Sequence, residues 1–480
     1  MPFCGPPFLN TGKKIVLGWI AVLFILSLFP AFSHAIPAFA RKHDLSCTSC
    51  HTKPPRLNAF GEAFHMAGFQ IPMTEEGEIK EKRKIGRIWS ELDFLNIFSL
   101  RAQGNFVESF NGGEITETNL TLPQEVELYL AGTVTNSVSF FFELENETKE
   151  IEGNNQGGFG ETSRFGLGKE FFVMFDLHPL IQKMGSGQEE NGHGSMGGPM
   201  FMGPMIMAGK IDPSTNFSYP TNRQFILNVP GKADSGSIQR FSLTPFAFAS
   251  KFFGMRSSGG EAVEVTEEVL YNTTGDFGLD VHAMLNGTMV QAGLMQGLSS
   301  GTTDVNQKKD PYFMIRKNFG RDRFISGSLS GLVYWGNDTG RVPVVPGSTS
   351  TVLIDWLRYG FAGNVKYKSF DIYGAFIWDD IQDLPGSIGA SFDDEAFGFT
   401  LEADYLASDQ VLFSGRYDHL DSGGFISQKA NAKVITLQGR YYLRDNFSMY
   451  LRDSINVEND STNPLQSYRN LVAVGLDFDF

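Results

Sequence analysis

The chain has 480 residues, a formal net charge of −15 and a sequence pI near 5.1. This acidic balance argues against nucleic acid as a partner, because phosphate backbones are bound by basic surfaces. Three cysteines in a chain of this length also argue against a disulfide scaffold.

The first 35 residues have the pattern of a secretory signal peptide. Two lysines precede an apolar run, Ile15 to Leu28, and small residues suited to cleavage end at Ala35. A membrane-spanning helix needs about 20 apolar residues, which is longer than this run. We predict cleavage after Ala35, which removes Cys4 and leaves a mature chain with a net charge of −17.

Residues 36–86 form a second predicted unit, a small head. Cys47-Thr48-Ser49-Cys50-His51 is the C-x-x-C-H sequence to which c-type haem is attached. Two thiols three positions apart on a helical turn reach both vinyl groups of one porphyrin, and His51 then becomes the proximal iron ligand. A redox dithiol also has C-x-x-C, but the following histidine and the export signal favour haem. The sequence therefore predicts one covalent haem c.

The second axial ligand of that iron is left open by the sequence. Met66 and His65 lie on a predicted helix from Leu57 to Gly68 and are the leading candidates, ahead of Met73 and His43. A methionine or histidine ligand would give an electron carrier, whereas an open position would suggest small-ligand chemistry. Either methionine could instead pack on the porphyrin edge.

Residues 87–480 read as a succession of two-faced strands. In one of them, Leu401, Ala403 and Tyr405 alternate with Glu402 and Asp404. Alternation with period two places apolar and polar side chains on opposite faces, and charges on the polar face are expected for a water-filled barrel interior. No apolar span of 20 residues follows the signal, so a closed barrel is the spanning structure available.

The predicted fold is therefore all-β, a transmembrane antiparallel β-barrel of about 16 strands with a small N-terminal helical haem head. Three tryptophans near predicted strand ends are expected in the interfacial girdles: Trp335, Trp356 and Trp378. Alternating apolar residues from Val472 to the terminal Phe480 resemble the last strand of bacterial outer-membrane proteins.

Two further groups of residues could bind metal. Six methionines and a histidine between 184 and 207 would suit copper, although we interpret this stretch as a loop, Met184 to Pro199, that runs into a strand. Two acid pairs could attract Fe(II), although we interpret them as solvated loop charges. These pairs are Asp379-Asp380 and Asp393-Asp394.

The mature N-terminus resembles a known family over about 35 residues. The matching motifs are Ile36-Pro37-Ala38-Phe39-Ala40-Arg41, the C-x-x-C-H sequence, Pro55-Arg56-Leu57-Asn58-Ala59-Phe60-Gly61-Glu62-Ala63-Phe64 and Gly68-Phe69. They are similar to those of fused monohaem cytochrome–porins of the bacterial outer membrane, which include iron-oxidising cytochromes. The resemblance implies a haem head inside or against a barrel of about 16 strands, with Cys47, Cys50 and His51 as haem-binding residues. The chain departs from the family pattern at His65 and Met66.

The expected function is electron transfer across the bacterial outer membrane. Extracellular Fe(II) is the candidate donor and a periplasmic electron-transfer protein the candidate acceptor, while outer-membrane lipid surrounds the barrel. The sequence leaves the direction of electron flow open, and Fe(II) oxidation is the candidate enzymatic activity. Alternatives are a solute porin whose haem head acts as a plug or redox sensor, and a haem enzyme acting on a small molecule.

Overall fold

The computed structural model describes most of the chain after the predicted signal peptide, which itself lies outside the described residues. The described residues are 39–40, 45–69, 97–111, 113–135, 137–149, 162–177, 201–211, 213, 217, 225–226, 276–296, 308–320, 325–345, 348–385, 391–421, 432–457 and 469–479. They all belong to one compact unit, Ile36–Phe480. No helix among them is long and apolar enough to cross a membrane.

Sixteen antiparallel strands, β3 to β18, close into a barrel in which the last strand pairs with the first. Their bounds are β3 Phe98–Asn111, β4 Glu114–Thr135, β5 Val138–Lys149, β6 Thr162–Asp176, β7 Phe201–Ile211, β8 Asp276–Leu285, β9 Thr288–Met295, β10 Asp310–Phe319, β11 Ile325–Val345, β12 Ser348–Tyr367, β13 Phe370–Pro385, β14 Ser391–Ser408, β15 Val411–Asp421, β16 Ala432–Arg444, β17 Phe447–Asn456 and β18 Asn470–Asp479. The predicted strand number is confirmed.

The two ends of the barrel differ in their connections. At one end, two-residue turns join β4 to β5, β8 to β9, β12 to β13, β14 to β15 and β16 to β17. At the other end β3–β4 and β11–β12 are also joined by two residues, but β5–β6, β7–β8, β9–β10, β15–β16 and β17–β18 are separated by ten or more. In the turn between β8 and β9, Asn286 and Gly287 both have positive φ, as a type I′ hairpin requires. We call this end the short-turn mouth and the other the long-loop mouth. Short turns face the periplasm in bacterial outer-membrane barrels.

The predicted alternation of faces is confirmed in the described strands. On β14, Leu401 and Tyr405 are exposed on the outer wall, whereas Glu402 and Asp404 are buried in the interior. On β18, Ala473 and Asp477 point inward, and the outward residues between them are apolar. Phe480, which ends the predicted terminal motif, lies outside the described residues. A closed barrel with an apolar outer wall belongs in the bacterial outer membrane.

Aromatic side chains mark two levels on that outer wall. Tyr359 and Tyr367 on β12, and Trp378 and Phe370 on β13, are exposed pairs eight residues apart. Eight residues of a strand tilted as in such barrels span about 20 Å along the barrel axis, close to the height of an apolar membrane band. Of the three tryptophans predicted for the girdles, Trp335 is exposed on the same wall as Trp378.

The prediction for Trp356 is wrong. Its side chain is only 3% exposed and points into the barrel, where it stacks on Tyr334. The physical reason is strand parity, because Trp356 shares its face of β12 with Arg358 and Asn364, which are buried inside the barrel. Leu357, Tyr359 and Phe361 alternate with these buried residues and form the outer face of β12.

Many of the charged side chains on the inner face of the described strands are paired with one another. Arg358 forms two hydrogen bonds to the Asp379 carboxylate, at 2.6 and 2.7 Å, and both residues are buried. Arg101 forms two to Asp477, at 3.0 and 3.1 Å. Such bidentate pairs hold charged side chains at fixed positions across neighbouring strands.

The remaining described segments lie within the barrel. We call residues 39–40 and 45–69 the head. It contains helix α1 (Cys47–Cys50), strands β1 (His51–Lys53) and β2 (Arg56–Leu57), which pair antiparallel, and helix α2 (Ala59–Met66). Helix α2 confirms the predicted helix, with bounds two residues inside the expected ones. Buried residues 217, 225 and 226, from the connection between β7 and β8, also face the interior.

Candidate functional site

The C-x-x-C-H motif begins on the single helical turn α1. Cys47 and Cys50 are its first and last residues, both are partly exposed, and neither is in a disulfide. Residues three apart in a helix lie on one side of it, so both thiols are presented together. The backbone then becomes extended at His51. The motif therefore presents two neighbouring thiols and an imidazole in sequence.

The imidazole of His51 is oriented by the chain just after it. Its Nδ1 donates a hydrogen bond to the carbonyl oxygen of Pro55 at 3.2 Å. A proton on Nδ1 leaves the lone pair on Nε2, the tautomer in which a histidine ligates iron through Nε2. A backbone carbonyl is a common orienting partner for a metal-ligating histidine.

Asn58 and Gly61 hold helix α2 against the motif. Asn58 caps α2 by accepting from the backbone N–H of Gly61 at 3.0 Å, and its side-chain amide donates to the carbonyl of Ser49 at 3.0 Å. Its own backbone N–H donates to the carbonyl of Cys50 at 2.9 Å. A Cβ at position 61 would overlap that same carbonyl oxygen, so only glycine allows this approach.

The roles of Asn58 as a helix cap and of Gly61 as a packing site were not predicted from the sequence. An asparagine directly before an apolar helix is nevertheless a recognisable N-cap signal. An isolated glycine inside a helix, such as Gly61, often marks close packing of two backbones.

The surroundings of the two thiols raise the pKa of each. Burial, and then the negative charge of Asp445, raises the pKa of Cys47; burial, and then Cys47 itself, raises the pKa of Cys50. Catalytic dithiols of the thioredoxin type instead have a thiol whose pKa is lowered. Neither thiol therefore has the lowered pKa of an activated redox cysteine.

A buried cation fixes the head to the barrel wall. The guanidinium of Arg56 is 0% exposed and donates to Glu402 at 2.6 Å, to Asp371 at 3.1 Å and to Asp404. It also lies 4.5 Å from the centre of the Phe225 ring. The guanidinium compensates much of the cost of burying these three carboxylates, with Arg416 3.7 Å from Glu402 and Lys366 3.9 Å from Asp371. We call this group the Arg56 cluster.

Further polar contacts surround the head at the same mouth of the barrel. Lys53 pairs with Asp445 in the turn between β16 and β17 at 2.9 Å. On the opposite side, Glu62 pairs with Arg316 near the end of β10 at 2.7 Å. The hydroxyl of Tyr442 donates to the carbonyl of Pro54 at 2.8 Å. These partners lie close to short turns, so the head occupies the short-turn mouth.

Apolar packing completes the attachment. Phe64, Met66 and Phe69 of the head belong to a buried cluster that includes Phe172 and several inward-facing methionines. Those methionines are Met174, Met205, Met207, Met284, Met289, Met295 and Met314. The head therefore meets charged side chains on one part of the wall and thioethers on another.

The candidate distal ligands lie in or beside this cluster. Met66 is buried in it, and its carbonyl accepts a hydrogen bond from Nε2 of His282 at 3.3 Å. His65 is partly buried and packs edge-on against Phe172 at 6.4 Å between ring centres. Met73 and His43 lie outside the described residues. The second axial ligand remains a prediction.

The two other groups of possible metal ligands are placed as follows. Residues 201–211 of the methionine-rich stretch form β7, whose Met205 and Met207 pack under the head, while the predicted loop from 184 to 199 lies outside the described residues. Asp379 is not a solvated loop charge, because it is buried on β13 and paired with Arg358. Among the residues that the structure describes, no group of three or more His, Cys, Asp or Glu could hold a metal.

Comparisons with known proteins give porins as structural neighbours. OmpT of Vibrio cholerae is 9% identical with a TM-score of 0.46, covering 80% of this chain and 97% of its own. An anion-selective porin from Comamonas acidovorans is 13% identical with a TM-score of 0.47, covering 80% and 98%. No family model and no curated protein matches the chain. At these values, the barrel architecture rests on the strand pairing itself.

Proposed function

We propose that the protein is an outer-membrane cytochrome–porin that moves electrons across the membrane through a haem attached to its head. The observation that carries this proposal is the placement of Cys47 and Cys50 on one helical turn, followed directly by His51, at the short-turn mouth, in a head held by buried contacts to the wall. A bound haem would supply reversible one-electron chemistry at that mouth.

The residues of the head have distinct roles in this proposal. Cys47 and Cys50 would hold the porphyrin through thioethers, and His51 would ligate the iron through Nε2. Pro55 orients that imidazole, and the Arg56 cluster prevents the head from leaving the barrel. Because short turns face the periplasm, the attachment site is within reach of a periplasmic redox partner.

The opposite end of the route would lie at the long-loop mouth. An extracellular one-electron reductant, with Fe(II) as the candidate, would deliver electrons there. The apolar band around the barrel, about 25 Å tall, keeps water-soluble redox molecules on either side apart. The barrel would therefore serve as an insulated housing through which the electron passes.

A second function, solute permeation, is favoured by one observation. A closed barrel of sixteen strands is the size that forms aqueous channels in porins. In that case the head would act as a plug, and release of the Arg56 cluster would open the pore. The burial of Arg56 and of its partner carboxylates is compatible with both functions, because a docked plug buries the same charges.

Purified full-length protein in liposomes tests the two functions together. A covalent haem spectrum in the wild type, lost in Cys47→Ala/Cys50→Ala and kept in Ser49→Ala, is the expected result. Reduction of that haem by Fe(II) added to the long-loop side would support electron transfer. A wild type without covalent haem, or a haem that external reductants never reduce, would refute it. Rapid leakage of a small sugar would favour the porin.

A further inference from the structure

Buried methionine side chains are concentrated on one part of the inner wall, the neighbouring strands β6 to β10. These methionines belong to the buried cluster under the head: Met174, Met205, Met207, Met284, Met289, Met295 and Met314. Residues 315–480, which include strands β11 to β18, contain a single methionine, Met449. Leucine or phenylalanine would fill an apolar wall equally well, so this distribution points to the thioether itself.

His282 lies among these methionines on the inner face of β8. Met205 is its direct partner on β7, and Met284 is two residues further along β8 on the same face. Side chains that are directly opposite on neighbouring strands have their Cβ atoms about 4.5–5.5 Å apart. One imidazole and two flexible thioethers are therefore within reach of a common point.

The imidazole and two of the thioethers approach the same short segment of the head. Nε2 of His282 lies 3.3 Å from the carbonyl oxygen of Met66, the last residue of α2. Two residues later, a Cβ placed on Gly68 would lie 3.2 Å from Sδ of Met174 and 3.3 Å from Cε of Met205. The donor atoms on this part of the wall therefore converge under the end of α2.

Asp280 orients the imidazole from behind. Its Oδ1 accepts a hydrogen bond from Nδ1 of His282 at 2.7 Å, and both side chains are fully buried. A metal-ligating histidine commonly donates from its second ring nitrogen to a carboxylate in this way. A cation at Nε2 would replace the hydrogen bond to the Met66 carbonyl and keep the one to Asp280. The buried negative charge of Asp280 would then be offset by the ion.

The available donor atoms select a soft ion. Both oxygens of Asp280 already accept hydrogen bonds, Oδ1 from His282 and Oδ2 from Gln291 and Tyr312, so this carboxylate is not free to coordinate. Calcium and magnesium require oxygen ligands. Thioethers together with an imidazole instead suit Cu(I), whose single positive charge also matches the single carboxylate behind the histidine.

We propose that the inner wall binds a soft monovalent cation of the Cu(I) class through Nε2 of His282 and the thioethers of Met205 and Met284, with Met174 as a further ligand. The site lies on β7 and β8, apart from the Arg56 cluster on β13 and β14. It uses none of the three residues of the haem-attachment motif, so it goes beyond the proposed electron-transfer function and does not rest on it.

The test uses purified full-length protein in detergent, with free thiols blocked by iodoacetamide so that Cys47 and Cys50 cannot bind the probe. Cu(I), kept reduced by ascorbate without oxygen, is titrated in competition with the chromophoric chelator bathocuproine disulfonate. The variants Met205→Leu and Met284→Leu remove sulfur and nearly conserve volume, so packing is kept. The matched control is Met449→Leu, a buried methionine of β17 outside the cluster. Heat-modifiable electrophoretic mobility verifies that each barrel is folded.

We expect the wild type to bind a single Cu(I) whose X-ray absorption spectrum shows sulfur and nitrogen neighbours. Loss of an orienting carboxylate around a metal site costs about 10–100-fold in affinity, so Asp280→Asn should weaken binding by that factor and each leucine variant by at least about tenfold. Met449→Leu should bind as the wild type does.

A folded wild type that does not bind Cu(I), a spectrum without sulfur neighbours, or equal affinities in the wild type and both leucine variants would overturn the site. Each of these results would leave the proposed electron-transfer function standing, because the covalent haem spectrum tests that function separately.

Discussion

Replacing Arg56 by methionine should release the head from the barrel wall while leaving the barrel itself intact. Methionine has a similar length and would keep contact with the Phe225 ring, but it removes the buried positive charge. Asp371, Glu402 and Asp404 would then lose the cation that they share, and of the described cations only Arg416, 3.7 Å from Glu402, and Lys366, 3.9 Å from Asp371, would remain beside them. Removal of one partner from a buried ionic group typically costs about 3–5 kcal/mol.

The structure supports a cost in that range, because Arg56 is fully buried and hydrogen-bonded to three carboxylates. At about 1.4 kcal/mol per factor of ten, the docked head would be disfavoured by roughly 10²- to 10⁴-fold. Lys366 provides a comparison within the same group, since its Nζ is partly exposed and lies 3.4 Å from the carbonyl of Leu57 and 3.9 Å from Asp371. Lys366→Met should cost about 0–1 kcal/mol.

Hydrogen–deuterium exchange of the α2 amides measures this directly, because their protection reports the free energy of local opening. In Arg56→Met these amides should exchange faster by the factor given above, while amides of the barrel strands keep their wild-type rates. Adding Glu402→Gln should then recover part of the loss, although the same change alone destabilises the wild type. Wild-type exchange rates in Arg56→Met would refute the ionic attachment of the head.

Three further outcomes follow from the described contacts. Gly61→Ala should lower the yield of covalent haem, because the new Cβ displaces the carbonyl of Cys50; haem content per protein measures this. Brominated lipid should quench the emission of Trp335 but not of Trp356, as single Trp→Phe variants can show. In haem-free protein, alkylation of Cys47 at neutral pH should be slower than for a free thiol, because its raised pKa reduces the thiolate fraction, and should accelerate as the pH rises above 9.0.

Each of these has a control or a contrary result. Gly439→Ala should be tolerated, since a Cβ there meets only the Phe413 ring at 3.7 Å or more. Equal haem yields in both glycine variants would contradict the close approach of α2 to the motif. Quenching of Trp356 by lipid would mean that β12 is turned outward. Fast alkylation at neutral pH would indicate an activated thiolate and revive the dithiol interpretation.

The sequence was sufficient for the barrel because alternation is a local property of each strand. It also gave the strand number and the helical turns around the motif, which depend on short-range patterns. Trp356 was expected in the outer girdle because it lies near a predicted strand end. That expectation ignored which residues of the strand alternate inward and which outward. Arg358 and Asn364 on the same face of β12 carry that information.

The attachment of the head could not be derived in this way. Arg56 appears in the sequence as one basic residue after two prolines, and its three acceptors lie on two distant strands. Asp379 was interpreted as a loop charge for a similar reason, because its partner Arg358 is on the neighbouring strand. Pairings of this kind depend on register and shear of the closed barrel, which no local window contains.

The position of the head also constrains the order in which the molecule can be assembled. Lys53 and Asp445 are separated by 392 residues along the chain, and Arg56 and Asp404 by 348. The head is made first, yet its partners are among the last segments to be synthesised, and such distant contacts form late. Until β18 pairs with β3 and closes the barrel, the inner wall that the head contacts is incomplete. Completed docking of the head therefore reports a finished barrel.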